Sequence, residues 1–309
     1  MSIDISIIIP LYNKEEFIGR TLRSVALQDI SNWECIIIDD GSTDSSVKKV
    51  NAFISENSGN WKVVSQVNSG QTRARNHGIS LASGKYFAFL DADDLWPKSK
   101  LRSQFEVLEN DSNIVLVLSA FAIFKDHVSI PRVVRHRDSH KMNEQWLQMS
   151  GFGGGLESVG MMRRTSLLEQ EVFDTTLSTS SGLDLSLRLE KVGKIVLLPQ
   201  IGLYYRINSG QWHADTHELG RNLEILYNRY RGSFGENLAA DHSAYLYWIS
   251  ARSHGRRYLL LAMLKAVLYV KNRRLLLLLN LVWRNVVSAR RGKSMMSQTL
   301  PEVHFLDGH

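Results

Sequence analysis

Asp91, Asp93 and Asp94 fall within four positions of "YFAFLDADDLWPKSKL" (86–101), directly behind an apolar run. Carboxylates this close repel one another unless a cation, water or a helix end compensates them. The cluster therefore reads either as a capped helix start or as a seat for something positive. Three more clusters carry polar chemistry: "PLYN" (10–13), "DDGSTD" (39–44) and "NSGQTRARNHG" (68–78). Each alone has a plain structural reading. Pro10 can end a strand, Tyr12 can be a loop aromatic, Ser42 or Asp94 can cap a helix, and Asp44 suits a first helical turn.

The segments between the clusters decide how they are positioned. "DISIIIP" (4–10), "WECIIIDD" (33–40), "WKVVSQV" (61–67) and "KYFAFLD" (85–91) are short runs rich in Ile, Val and aromatics. They alternate with helix-length stretches such as 14–28 and 42–56. This order predicts βαβ units and an α/β fold with a mainly parallel sheet covered on both faces. Ligands of such sheets bind beyond the carboxyl ends of the strands, and all four clusters follow a strand end. Further on, 113–124 reads as another strand and 181–193 as a helix. Residues 194–199 and 201–207 read as a strand pair, and the chain from about Arg221 as helical.

The four clusters, in this order and spacing, resemble family 2 glycosyltransferases with the GT-A fold. "PLYN" with Glu15, "DDGSTD", "NSGQTRARNHGIS" and the D-x-D element "DAD" carry the resemblance. It spans residues 3–210 and is strongest over the first 100. It implies a Rossmann-like, mainly parallel sheet and a hexosyltransferase-type enzyme that moves a sugar from a nucleotide diphosphate, usually UDP-linked, to an acceptor hydroxyl. It also implies a nucleotide-sugar site built from Pro10, Tyr12, Asn13, Glu15, Asp39, Asp40, Arg75, Asp91 and Asp93. In that site Tyr12 borders the base, and Asp39 or Asp40 accepts the uracil N3–H. Arg75 and Asn76 line the base side, and Asp91 contacts ribose or the donor sugar. Asp93 is the metal ligand, holding Mn²⁺ or Mg²⁺. Such a cation suits the chemistry, because a hard ion bound by carboxylate oxygen neutralises a diphosphate leaving group.

Two positions depart from the family pattern. The Glu-Asp pair that usually supplies the general base before Leu187-Arg188-Leu189 aligns with Ser181-Gly182. Asp184 becomes the candidate catalytic base, its alternative role being an ion pair with Arg188 at i+4; Glu157 is a lesser candidate. The histidine that often follows "YYR" is Asn208 here, with His213 five residues on.

Composition narrows the setting. The chain has 309 residues, a formal net charge of +6 and one cysteine, Cys35, which rules out an internal disulfide. No His/Cys spacing suits zinc. The basic surplus lies in the tail: residues 221–309 hold 14 Lys/Arg against 5 Asp/Glu, with no acid between Asp241 and Glu302. Its longest uncharged stretch in 256–291 is Leu275–Trp283, far short of the ~20 residues needed to span a bilayer. The expected arrangement is a GT-A domain over 1–215 (1–100 nucleotide-binding, 101–215 acceptor-binding) and a basic helical region over 216–309. That region either packs on the core or makes peripheral contact with an anionic membrane through 250–293. The expected partners are a nucleotide-sugar donor and a saccharide or lipid-linked saccharide acceptor, with no nucleic acid. The expected location is cytoplasmic, at the inner face of the plasma membrane. A non-catalytic nucleotide-sugar-binding scaffold is the alternative. A sugar nucleotidyltransferase ranks last, for want of a Gly-rich, Lys-containing N-terminal loop.

Overall fold

The computed structural model describes residues 3–124, 132–134, 156–166, 172–177, 180–206, 222, 225, 226 and 228–230. The polar stretch 125–131, the segment 135–155 with "GFGGG", Asn208, His213 and the basic tail 250–293 lie outside the described residues.

Among the described residues, eight strands form one sheet in the order β3-β2-β1-β4-β7-β5-β6, with β8 pairing β5. The first half contains β1 (Ile5–Leu11), β2 (Trp33–Asp39), β3 (Trp61–Ser65) and β4 (Tyr86–Phe89), all paired in parallel. Every residue of β1 and β2 is buried, as continuous apolar strands covered on both faces must be. The far half contains β5 (Ile114–Phe124), β6 (Arg132–Val134), β7 (Gly160–Arg163) and β8 (Lys194–Arg206). There β7 runs antiparallel to both β4 and β5, β6 runs antiparallel to β5, and β8 runs parallel to β5. The mixed, mainly parallel sheet expected from sequence is what forms.

Helices α1 (Ile18–Ala26), α2 (Ser46–Glu56), α3 (Gln71–Leu81) and α4 (Lys100–Asn110) connect the first strands. In α1 the buried residues are Ile18, Thr21, Leu22 and Val25, the i, i+3, i+4, i+7 stripe of a helix lying on a sheet. The short α5 (Leu156–Val159) leads into β7, and α6 (Ser181–Leu189) is buried nearly all round.

Three expectations change in detail. Residues 194–206 are one strand rather than a pair. Its register against β5 shifts between Leu198 and Ile201, so Pro199 and Gln200 form an irregularity where a missing proline N–H costs no ladder bond. Pro10 does not end β1, which continues to Leu11. The carbonyl of Ile8 accepts Leu90 N–H on the β4 side and that of Leu11 accepts Asp40 N–H on the β2 side. By alternation Pro10 faces the β4 side, where β4 has already stopped at Phe89. Strand β7 was not foreseen, because "GMMR" is too short to stand out from its flanks.

Lys100 links the two halves. It is 1% exposed, donates to the Gly160 carbonyl at 3.1 Å, and lies 3.8 Å from the centre of the Trp96 ring. Burial pulls its pKa well below the ordinary 10.5.

Candidate active site

Because β1, β2, β3 and β4 run in parallel, the four polar clusters meet at one edge of the sheet. The ladder continues into the loops: Asp40 N–H bonds the Leu11 carbonyl and Gln66 N–H bonds the Asp39 carbonyl, both at 2.8 Å.

The first two loops are stitched together reciprocally. Asn13, at φ 48°, donates its N–H to the Ser42 hydroxyl at 3.1 Å, and its Oδ1 accepts Thr43 N–H at 2.8 Å. Asparagine is one of the few side chains that visit this left-handed region readily. Glu15 accepts Ser45 N–H at 2.9 Å, while Asp44 accepts N–H groups from Ser46 and Glu15. The start of α2 is therefore capped by Asp44 and, from across the loop, by Glu15. Ser42 is not the N-cap, because its hydroxyl is turned to Asn13 and the helix begins four residues later. Burial would raise the Asp44 carboxyl, but these hydrogen bonds outweigh it and hold the pKa below its usual value. Tyr12 stands beside this junction, 47% exposed.

Asp39 and Asp40 differ sharply. Asp40 is saturated: Oδ1 accepts Gln66 Nε2 at 2.7 Å and Ser69 N–H at 2.9 Å, and Oδ2 accepts Gly70 N–H at 2.8 Å. Gly70 has φ +94°, which favours glycine, and starts α3. Asp40 thus moulds the turn into α3. Asp39 spends only Oδ1, on Ser42 N–H at 3.0 Å, and Oδ2 takes no bond from the described residues.

Arg75 is the pivot of the site. Buried on α3, it reaches Asp91 Oδ1 with one guanidinium nitrogen at 2.7 Å and Glu157 Oε1 with the other at 3.3 Å. Burial opposes its charge, yet Glu157 and Asp91 together raise its pKa further. Gln71 adds a 2.8 Å bond to the same Asp91 oxygen. Asn76 instead closes a reciprocal pair with the Phe173 backbone, at 2.7 and 3.0 Å, and fixes that segment against α3.

In the acidic turn, Asp93 is 2% exposed and its Oδ2 accepts Lys14 Nζ at 2.7 Å. Burial raises its pKa, Lys14 lowers it, and the Asp91 charge raises it again, leaving it above the ordinary value. Asp94 is wholly buried. Its Oδ1 accepts Arg206 N–H at 2.9 Å, and Oδ2 has no hydrogen-bond partner among the described residues. Burial, then Asp93 and Asp91, push its carboxyl well up. Asp94 therefore shapes the turn, as read from sequence, by docking the end of β8 rather than by capping a helix. Arg206 also donates through Nε to the Asp93 carbonyl at 2.6 Å, and Leu95 and Tyr204 exchange backbone bonds. Burial and then the charges of Asp94, Asp91, Asp93 and Glu157 push the Tyr205 hydroxyl pKa far up, which marks one field shared by four carboxylates.

Asp184, on α6, is bonded differently. It is 0% exposed, and three donors consume it: Arg188 Nε at 2.8 Å, Arg229 at 2.6 Å and the Tyr230 hydroxyl at 2.9 Å. The i+4 pair with Arg188 expected from sequence is present. Arg229 and Tyr230 join it from beyond residue 216, and Leu226 and Tyr230 belong to the same buried core. Glu157, by contrast, accepts only Arg75 on Oε1, and Oε2 takes no bond from the described residues.

The donor set suits a hard divalent cation. Asp93 presents carboxylate oxygen that already holds one positive group, the ammonium of the partly exposed Lys14. Among the described residues no group of three potential ligands converges, so remaining ligands would come from phosphate oxygens and water.

Sequence reading missed Lys14, Gln71, Tyr205 and Arg206 as members of this site. Lys14 directly follows "PLYN" and could have been paired with the acidic turn on charge alone; the others depend on how β8 returns. No helix among the described residues is long and apolar enough to cross a membrane.

Known proteins resemble this chain in sequence and in fold. Similar curated proteins include an uncharacterised glycosyltransferase of Rickettsia conorii (35% identical over 50% of this chain and 22% of the relative). Another is WfgD of Escherichia coli, a UDP-Glc:α-D-GlcNAc-diphosphoundecaprenol β-1,3-glucosyltransferase (33%, 42% of this chain, 50% of the relative). The chain spans at most half of these two relatives. Among solved structures, S. aureus TarS 1–349 with UDP superposes at a TM-score of 0.61 (19% identity, 81% of this chain, 73% of that 1–349 chain). The Pyrobaculum calidifontis mannosyltransferase PcManGT, with GDP-Man and Mn²⁺, superposes at 0.60 (15%, 94% and 87%). These likenesses are of fold, the GT-A fold. The model of glycosyl transferase family 2 matches residues 6–170, just over half of the chain, and the chain belongs to that family.

Proposed function

We propose that the protein transfers a sugar, with inversion, from a nucleotide diphosphate donor, most simply a UDP-sugar, to an acceptor hydroxyl in cell-surface polysaccharide synthesis. The observation that carries this reading is the convergence of Asp39, Arg75, Asp91 and Asp93 at the carboxyl edge of one parallel sheet. Asp39, with Oδ2 uncommitted, takes the base N3–H, and Tyr12 covers the base face. Asn13, Glu15 and Asp40 act one step back by holding the loops that form the pocket. Asp91, fixed by Arg75 and Gln71, meets ribose or donor sugar. Asp93 would hold Mn²⁺ or Mg²⁺ in place of Lys14, and the ion would supply neutralising charge to the departing diphosphate. Lys14, released from Asp93, remains within reach of the same phosphates.

Residues 1–215 form the transferase unit in this reading, and 250–293 lie on anionic lipid at the inner face of the plasma membrane. The acceptor is then a lipid-linked saccharide. The relatives' names support this, since WfgD acts on a diphosphoundecaprenol-linked sugar. Incubation with a panel of UDP-sugars and Mn²⁺, with and without membrane lipid extract, tests it through UDP release. Release that rises with the extract is expected. Nucleotide binding without release from any donor would instead favour the scaffold alternative.

A further inference from the structure

An inverting transferase needs a carboxylate with one oxygen left free by the scaffold to take the acceptor proton, next to the donor sugar. Most acids around the site are engaged. Asp40 and Asp184 have both oxygens bonded, Asp91 shares Oδ1 between Arg75 and Gln71, and Asp93 is paired with Lys14. Asp94 is sealed under Arg206 with no exposure. Asp39, Asp91 and Glu157 each keep one oxygen that takes no bond from the described residues; with Asp39 assigned to the base and Asp91 to ribose or donor sugar, Glu157, 8% exposed and engaged only through Oε1, is the one without a role.

A second observation places Glu157 more tightly. A Cβ added to Gly182 would lie 2.3 Å from the Glu157 carboxyl carbon, 2.4 Å from Oε1 and 2.8 Å from Oε2. The carboxyl group therefore fills the volume where any side chain on residue 182 would begin. Gly182 is in ordinary helical backbone on α6, so the glycine serves clearance rather than a positive φ. The two positions depend on each other: glycine at 182 lets a carboxylate arrive from α5, on a different segment. Arg75 then ties that carboxylate to Asp91 through the two ends of one rigid guanidinium, which fixes its distance from the donor site.

Resting on the transferase reading, we infer that Glu157 is the general base, presented over Gly182, and that Asp184 is a structural ion-pair centre. Oε2 of Glu157 accepts the proton of the acceptor hydroxyl as that oxygen bonds the anomeric carbon. The bond from this carbon to the diphosphate oxygen breaks, and its electron pair leaves with the nucleoside diphosphate. The carboxylic acid then returns its proton to water.

The test uses the full chain with whichever UDP-sugar the wild type turns over. Glu157→Gln keeps size and a contact for Arg75, and is expected to lower turnover by about 10²–10⁴-fold while UDP affinity stays within about threefold. Gly182→Ala leaves the carboxylate present but displaced, and is expected to lower turnover likewise at unchanged UDP affinity. Formate should partly restore Glu157→Ala and leave Gly182→Ala unchanged. Wild-type turnover in Glu157→Gln overturns the assignment and leaves the transferase reading intact. Loss of UDP affinity in step with turnover overturns it too, since Glu157 would then be only the counter-ion of Arg75. A wild type that binds UDP-sugars but releases no UDP defeats the reading and the inference together.

Discussion

The loop acids Asp40 and Asp44 of the first half of the sheet and Asp184 of the far half are satisfied in opposite ways, whereas Asp91 and Asp93 pair with Arg75 and Lys14. On the donor side Asp40 and Asp44 are held mainly by backbone N–H groups and neutral side chains of adjacent loops. On the far side Asp184 is held by two guanidiniums and a phenol, two of these donors more than forty residues away. The first arrangement follows from strand order, because parallel strands deliver their loops to one edge. The second depends on which cations the chain brings back, and leaves buried charge that must stay paired.

The largest expected effect falls on the far side. Asp184→Ala strands the buried Tyr230 hydroxyl and two arginines, and is expected to cost about 3 kcal/mol in urea unfolding. This is the low end for a broken buried pair, because both guanidiniums reach water. UDP affinity should hold. If Asp184→Asn keeps full stability but loses turnover, the contrast between the halves collapses and Asp184 returns as the base.

A smaller effect is expected at Lys100, which joins the halves. Its folded pKa lies below the unfolded 10.5, so the folded state resists protonation. The stabilising contribution of the neutral amine is complete above pH 10.5 and is lost as pH falls through the folded value. Within that window the slope reaches about 1.4 kcal/mol per pH unit. Lys100→Met should remove this slope, seen as the difference between wild-type and variant unfolding curves across alkaline to neutral pH. Parallel curves would mean that the ammonium stays charged over Trp96.

These contrasts explain what could be read from the sequence. The first four strands and their clusters were legible because buried parallel strands are continuous Ile/Val runs, and the loops at their ends carry the polar residues. The separate roles of Asp39 and Asp40 were not, because one residue of register decides which carboxylate faces the turn into α3. Glu157 was visible only as a lesser candidate. Its pairing with Gly182 links two segments that meet only after β7 inserts beside β4, and β7 has no sequence signal of its own. Asp94 was legible as a turn former, although its partner is the N–H of Arg206, 112 residues on.

The most direct test of the donor site is the affinity for UDP, measured calorimetrically with and without Mn²⁺, for the wild type and Asp93→Ala. The account predicts that Mn²⁺ tightens UDP binding by the wild type at least tenfold and has no effect on Asp93→Ala. Equal tightening in both proteins would contradict it, because the acidic turn would then not be the place where cation and diphosphate meet.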